Sequence, residues 1–257
     1  MIESLAEIST IGQDVLWQSY IVFMRVGAMM ALLPAFGEQS IPTRVKLGLA
    51  LAFTMIVAPL APQPILIEGA AHTLGLILAE TVTGLFLGMM LRLFILALQI
   101  AGSIAAQSTS LSQLFGGAGA DPLPAMGHVL LIGGLALATI MGLHVQITEF
   151  MINSYTLVPM GNVIPADIMT KAGIAEISRA FALGFTLAAP FVIASLIYNV
   201  TLGVINKAMP QLMVAFVGAP AITAGGLILL MLAAPMMLSL WVEALGIFMM
   251  DPFGDHK

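Results

Sequence analysis

Hydrophobic positions in this chain come in long, almost unbroken runs, and the polar ones gather in short stretches between them. Six runs read as candidate spanning helices, at about 15–36, 45–60, 70–100, 126–152, 179–205 and 221–250. A span needs about 20 mostly apolar residues to cross the hydrocarbon core of a bilayer. The second run is short for this, while the third and sixth are long enough to tilt, kink or rise above the bilayer.

Turn-forming residues mark the connections. PAFGEQSIPTR follows the first run, APQPILIEG the second, LVPMGNVIPADIMTKAG the fourth, and the fifth ends in INKAMPQL. Pro and Gly punctuate each of these as a loop or a helix end. Pro190 and Pro235 fall inside apolar runs. Neighbouring helices can satisfy the backbone groups that such residues free, so kinks are expected there, not breaks.

One connection differs from the rest. The stretch QSTSLSQLFGGAGADPLP, residues 107–124, follows the third run, and no charge occurs between Arg92 and Asp121. It is too polar and too rich in Gly for an ordinary lipid-facing helix, and it reads as a long, soft, neutral loop.

Composition turns this pattern into a class. Of 257 residues, 60% are hydrophobic and only 8% are charged, where a soluble domain has about 25%. There are too few charges to coat a water-exposed globule, so the chain is expected to be an all-α integral membrane protein. A net charge of −5 with no basic stripe argues against nucleic acid as a partner. The absence of cysteine excludes disulfides, thiolate metal sites and Cys nucleophiles. The opening MIESLAEISTIGQD is acidic where a signal peptide requires positive charge, so the first run is expected to be retained as a span. With the N-terminus outside, Arg44, Lys46, Arg92 and Lys207 fall on the cytoplasmic side, the orientation that positive-inside favours.

Charges inside apolar runs are costly unless paired or hydrated. Arg25, Glu80, Arg92, Glu149 and Glu243 are the candidates. Arg25 and Glu80 are expected to form a structural ion pair or an interface contact, and Arg92 and Glu149, near the ends of runs, to snorkel. Glu243 joins them as an intramembrane charge at a possible interface.

Enzyme chemistry has little to stand on. His72, His128 and His144 are isolated, with no second ligand at helical spacing, so no metal is expected. No Gly-x-Ser-x-Gly elbow, phosphate-binding loop or dinucleotide fingerprint occurs, and Ser103, Ser108, Ser110 and Ser112 have no evident base. No cofactor is implied. The Gly84/Gly88 spacing in TVTGLFLGMMLRLF reads as helix packing.

Three stretches together resemble one family. The first is FMRVGAMMALLPAFGEQSIPTRVKLGLALAFT, residues 23–54: an Arg-bearing helix, a Pro-Ala-Phe-Gly turn, then Pro and a basic pair opening a second helix. The second is the 107–124 loop with Asp121 and Pro122. The third is YNVTLGVINKAMPQLMVAFVGAPAITAGGLILL, residues 198–230, around Asn206, Lys207, Pro210 and Gln211. With the six-run layout these look like the FliR family of the flagellar type III export gate, related to the SctT proteins of virulence secretion.

The resemblance, and not the composition, implies the rest. It implies a non-enzymatic subunit that joins FliP-like and FliQ-like subunits in a helical assembly of kinked hairpins, through which unfolded flagellar proteins pass. It also implies FlhB-like and FlhA-like partners, contact with membrane lipid, and a place in the flagellar basal body at the bacterial inner membrane. Residues 1–155 would be a FliP-like portion and 174–257 a FliQ-like hairpin of one membrane domain. The turn at Asn206, Lys207, Pro210 and Gln211 would face the cytoplasm. The loop would act as a plug, with Leu111, Leu114 and Phe115 sealing, Gly116, Gly117 and Gly119 giving backbone freedom, and Asp121 and Pro122 closing the motif. A small-solute secondary transporter and the equivalent subunit of a virulence injectisome are the alternatives.

Overall fold

The computed structural model describes residues 2–38, 41–63, 69–109, 125–209 and 214–254. These form seven α-helices: α1 (Ile2–Met30), α2 (Thr43–Val57), α3 (Ala70–Thr109), α4 (Ala125–Ile140), α5 (Leu143–Leu157), α6 (Ala166–Ala208) and α7 (Val214–Met250). A 3-10 turn, Ala58–Leu60, extends α2. No strand occurs among the described residues. The fold is all-α.

Each of the six apolar runs is largely helical. Among the described residues, four stretches are long and apolar enough to cross a membrane: Thr43–Leu60, Ala70–Thr109, Ala166–Ala208 and Pro220–Met250. The bent pair α4 and α5 makes a fifth if it is one broken span. The fourth run therefore divides, at Gly142, whose φ of +86° is a conformation that L side chains rarely adopt.

The first run was expected to span, and α1 is not in this set. Its helix carries Gln13, Asp14, Gln18, Ser19 and Arg25, and it stops at Met30, well short of residue 36. The chain tightens there, with Leu32 N–H donating to the Met29 carbonyl, and Pro34 then prevents continuation. Ala35 follows at φ +64°.

Prolines inside the long helices leave them continuous. α6 runs through Pro190, and α7 through Pro220 and Pro235. α6 also carries Asp167 in its first turn and Lys207 in its last, both complementing the helix dipole.

Side-chain packing divides the chain into two compact units, neither of them continuous in sequence. The first comprises Met1–Arg92, Gly142–Ala175 and Phe248–Lys257. Its core is Ile21, Val22, Val26 and Met29 of α1 with Leu87 and Leu91 of α3 and Ile147, Phe150 and Met151 of α5. Phe248 closes it against Phe150, ring centroids 6.2 Å apart. α3 approaches α1 along Gly84 and Gly88: a Cβ on Gly84 would fall onto the Arg25 carbonyl, and one on Gly88 would lie 2.9 Å from the Met29 carbonyl. The Gly spacing is a backbone-to-backbone seam.

The second unit comprises Leu93–Met141 and Glu176–Ile247. The C-terminal part of α3 lies at its centre, burying Ile95, Leu98, Ala101 and Ala105. Small residues admit the helices around it. Gly102 meets Gly127 of α4, and Gly184 of α6 packs on Ala97 and Ile100. Trp241 of α7 is fully buried, and its indole N–H donates to the Phe94 carbonyl at 2.7 Å.

Candidate functional site

A buried charge needs a partner and a full set of hydrogen bonds. In the first unit Arg25 of α1 has both. Its Nε donates to Glu80 Oε2 at 2.8 Å and its Nη2 to Glu80 Oε1 at 3.0 Å, a two-bond pair between groups that are 1% and 0% exposed. The remaining nitrogen, Nη1, donates to the carbonyls of Ser154 and Val158 at 3.0 and 2.9 Å. Ser154 lies in the last turn of α5 and Val158 caps it, so the guanidinium sits at a helix C-terminus, where a positive charge is favoured. The Arg25 guanidinium also lies 4.0 Å from the centre of the Tyr155 ring, within cation–π range.

Glu80 extends the network. Its Oε1 accepts the Gly161 N–H at 2.8 Å, in the turn between α5 and α6 where Gly161 takes φ +80°. Two charges thus fix four segments: α1, α3, the end of α5 and the turn beyond it. Both Glu80 oxygens are engaged, Oε2 by Arg25 and Oε1 by Arg25 and the Gly161 N–H. Beside this turn lies a cleft of about 580 Å³, lined by Gln63, His72, Leu76, Pro159 and Asn162 among others.

Arg92 was expected to snorkel from a helix end. It lies inside the 40-residue α3 and donates to Glu38 at 3.0 Å, both half-buried. The helix continues past the apolar run, so no end is near Arg92. From α2, Lys46 donates to the Gly37 carbonyl at 2.9 Å. Two cations therefore hold the turn that follows α1.

Glu243 is exposed on α7, with no ion pair or hydrogen bond to another described residue. Glu149 is exposed on α5, on the side that also carries Val145, Asn153 and Thr156. Asn206 and Lys207 are exposed at the end of α6. Pro210 and Gln211 lie outside the described residues, as do Leu111, Leu114, Phe115, Gly116, Gly117, Gly119, Asp121 and Pro122. His72 and His144 are exposed on α3 and α5, and no three His, Asp or Glu among the described residues converge as metal ligands.

Sequence reasoning missed Glu176. It falls between the turn sequence that ends at Gly173 and the run that begins at Arg179, but α6 begins at Ala166, and Glu176 is buried, 3.1 Å from Arg179. The i, i+3 spacing of the two charges was the available signal. A second cavity, about 330 Å³, lies in the second unit between α6 and α7, where Tyr198 of its lining donates to the Gly218 carbonyl.

Residues 16–247 match the family described as bacterial export proteins, family 1. The flagellar biosynthetic protein FliR of Caulobacter vibrioides is 32% identical over 230 residues, covering 87% of this chain and 90% of that one. The chain belongs to the FliR family of bacterial export proteins. Two further FliR proteins agree: that of Escherichia coli, 28% identical over 223 residues with 83% and 82% of the two chains covered, and that of Aquifex aeolicus, 29% identical with 83% and 84% covered. The matched region contains Arg25, Glu80, Arg92 and Glu243 and extends through α7 to Ile247.

Proposed function

We propose that this chain is a membrane subunit of a flagellar protein-export gate, a non-enzymatic part of the conduit for unfolded flagellar proteins. The observation that carries this reading is the family match over residues 16–247, joined to FliR relatives covered over most of their length. The helices supply a physical reason for assembly. Phe181, Phe185, Ile193, Leu196 and Ile197 of α6 are exposed, a face that suits lipid or other membrane helices and not water.

In this reading the chain sits in the inner membrane at the flagellar basal body. It assembles with FliP-like and FliQ-like subunits and meets FlhB-like and FlhA-like proteins on the cytoplasmic side, near Asn206 and Lys207. Residues 1–155 act as the FliP-like portion and 174–257 as the FliQ-like hairpin. The 107–124 stretch, whose first three residues complete α3, serves as the plug.

The test is assembly together with complementation. Expressed with its FliP-like and FliQ-like subunits, the chain should purify in one large detergent-stable particle. It should also restore motility and flagellin export to cells lacking their own FliR. A monodisperse chain that transports a small solute and restores neither would overturn the reading in favour of a transporter.

A further inference from the structure

Glu243 stands in surroundings unlike those of the other charges. Leu232, Met236, Leu240 and Ile247 of α7 are exposed, and with Glu243 they follow spacings of four, four, three and four, one side of a helix. Met237, Trp241, Val242 and Leu245 turn the opposite side inward. The carboxylate therefore sits within an outward stripe whose other polar member, Ser239, is hydrogen-bonded to its own helix backbone at Met236, on a helix long and apolar enough to cross a membrane. Ile247 and Met250, both exposed, continue the stripe beyond Glu243, so the carboxylate does not mark its polar end.

A single charge in such a stripe is costly against lipid tails and is found paired or hydrated. No described residue of this chain pairs it. Lys207 precedes α7, and about 44 Å of helix separates Glu243 from Val214, so the hairpin tip of a parallel second copy does not come level with it. Arg179 is held by Glu176 in its own chain. A polar or charged residue at one position of an apolar helix seam is a known way of fixing register between helices.

We propose that the 232–247 stripe of α7 is a helix-docking face, and that its occupant is an apolar membrane helix of another protein bearing a single Lys or Arg level with Glu243. The pair sets the register of the two helices, and the apolar residues on either side exclude water from it. This rests on the proposed function in so far as it requires membrane partners.

The test uses the full chain in flagellated cells with its natural neighbours, carrying a benzophenone side chain at Leu240 or Ile247. Illumination should join α7 to a membrane segment of another protein with a Lys or Arg within one helical turn of the adduct. Glu243→Gln should lower the yield about tenfold, the scale of a polar contact between membrane helices. Glu243→Lys should lower it further, and the reciprocal change of the partner's cation to Glu should restore it. Adducts with lipid alone, with a second copy of this chain, or with a segment lacking a cation overturn the proposal, as does an unchanged yield in Glu243→Lys. Motility separates the two readings. If the unmodified chain restores it and no cation-bearing helix is captured, the docking face alone falls. If motility is not restored but such a helix is captured, the docking face stands and the export reading falls.

Discussion

Arg25 and Glu80 are separated by 55 positions, yet they meet as a two-bond ion pair from which water is excluded, its bonds 2.8 and 3.0 Å long. The pair joins α1 to α3, and its outward hydrogen bonds secure the end of α5 and the Gly161 turn. Its worth lies in what each charge would cost if left alone.

Arg25→Met and Glu80→Met should each destabilise the first unit by about 3–5 kcal/mol, since each leaves an uncompensated buried charge. The double variant should lose clearly less than the sum of the two. Thermal unfolding of the four proteins in one detergent measures this, and additive losses would show that the two groups do not act as a pair.

Two glycines of α3 should respond in opposite directions. Gly84→Ala drives a methyl group into the Arg25 carbonyl of α1 and should cost about 1–3 kcal/mol, the range for overpacking. Gly75 meets nothing within 4 Å, so Gly75→Ala should stabilise the helix by roughly 0.5–1 kcal/mol. Melting temperatures of the two variants compared with the parent give both signs.

Ala35 holds φ +64°, a left-handed conformation that costs an L residue about 1–2 kcal/mol. Ala35→Gly should relieve much of that and raise stability by about 0.5–1 kcal/mol after the added freedom of the unfolded chain is subtracted. Ala35→Val should lower it. Equal melting temperatures for all three chains would mean that the turn relaxes without strain.

Residues 110–119 lie outside the described residues, and the proposed plug role makes a separate prediction for them. Deleting them should leave the assembled particle intact while raising ion conductance across the membrane. Replacing Leu114 and Phe115 by Gly should give a smaller leak, because the loop still occupies space while its apolar contacts are lost. Electrical recording on the reconstituted complex measures both, and a tight deletion variant would reduce the segment to a connector.

Much of the fold was legible because apolar runs of this length leave the backbone few choices: in lipid, helices satisfy their own hydrogen bonds. What local pattern could not supply was where helices stop. α1 starts in the polar opening of the chain and α6 starts at Ala166, because polar residues with good helix propensity continue a helix beyond its apolar part. The break at Gly142 was hidden because a Gly within an apolar run reads equally as packing or as a bend.

The site was legible in part for a related reason. Arg25 and Glu80 announce themselves as charges in apolar surroundings, but their hydrogen bonds to the Ser154 and Val158 carbonyls and the Gly161 N–H involve backbone groups. Backbone groups leave no trace in a residue pattern. The Arg92–Glu38 pair was missed because Glu38 lies in a turn, and nothing local indicates which distant cation a turn will face.

The contact between Phe150 and Phe248 has a consequence for biogenesis. About a hundred residues separate the two rings, and a ribosome adds roughly 5–20 residues each second. For some 5–20 s, then, the emerging chain presents Phe150 to the insertion machinery without its lid. Helices α1, α3 and α5 must wait, incompletely packed, until Phe248 has been synthesised. A nascent chain stalled before Phe248 would expose the Phe150 ring to proteolytic surveillance, which makes the arrival of the last turns of α7, and not that of the first helices, the moment at which this unit commits to its fold.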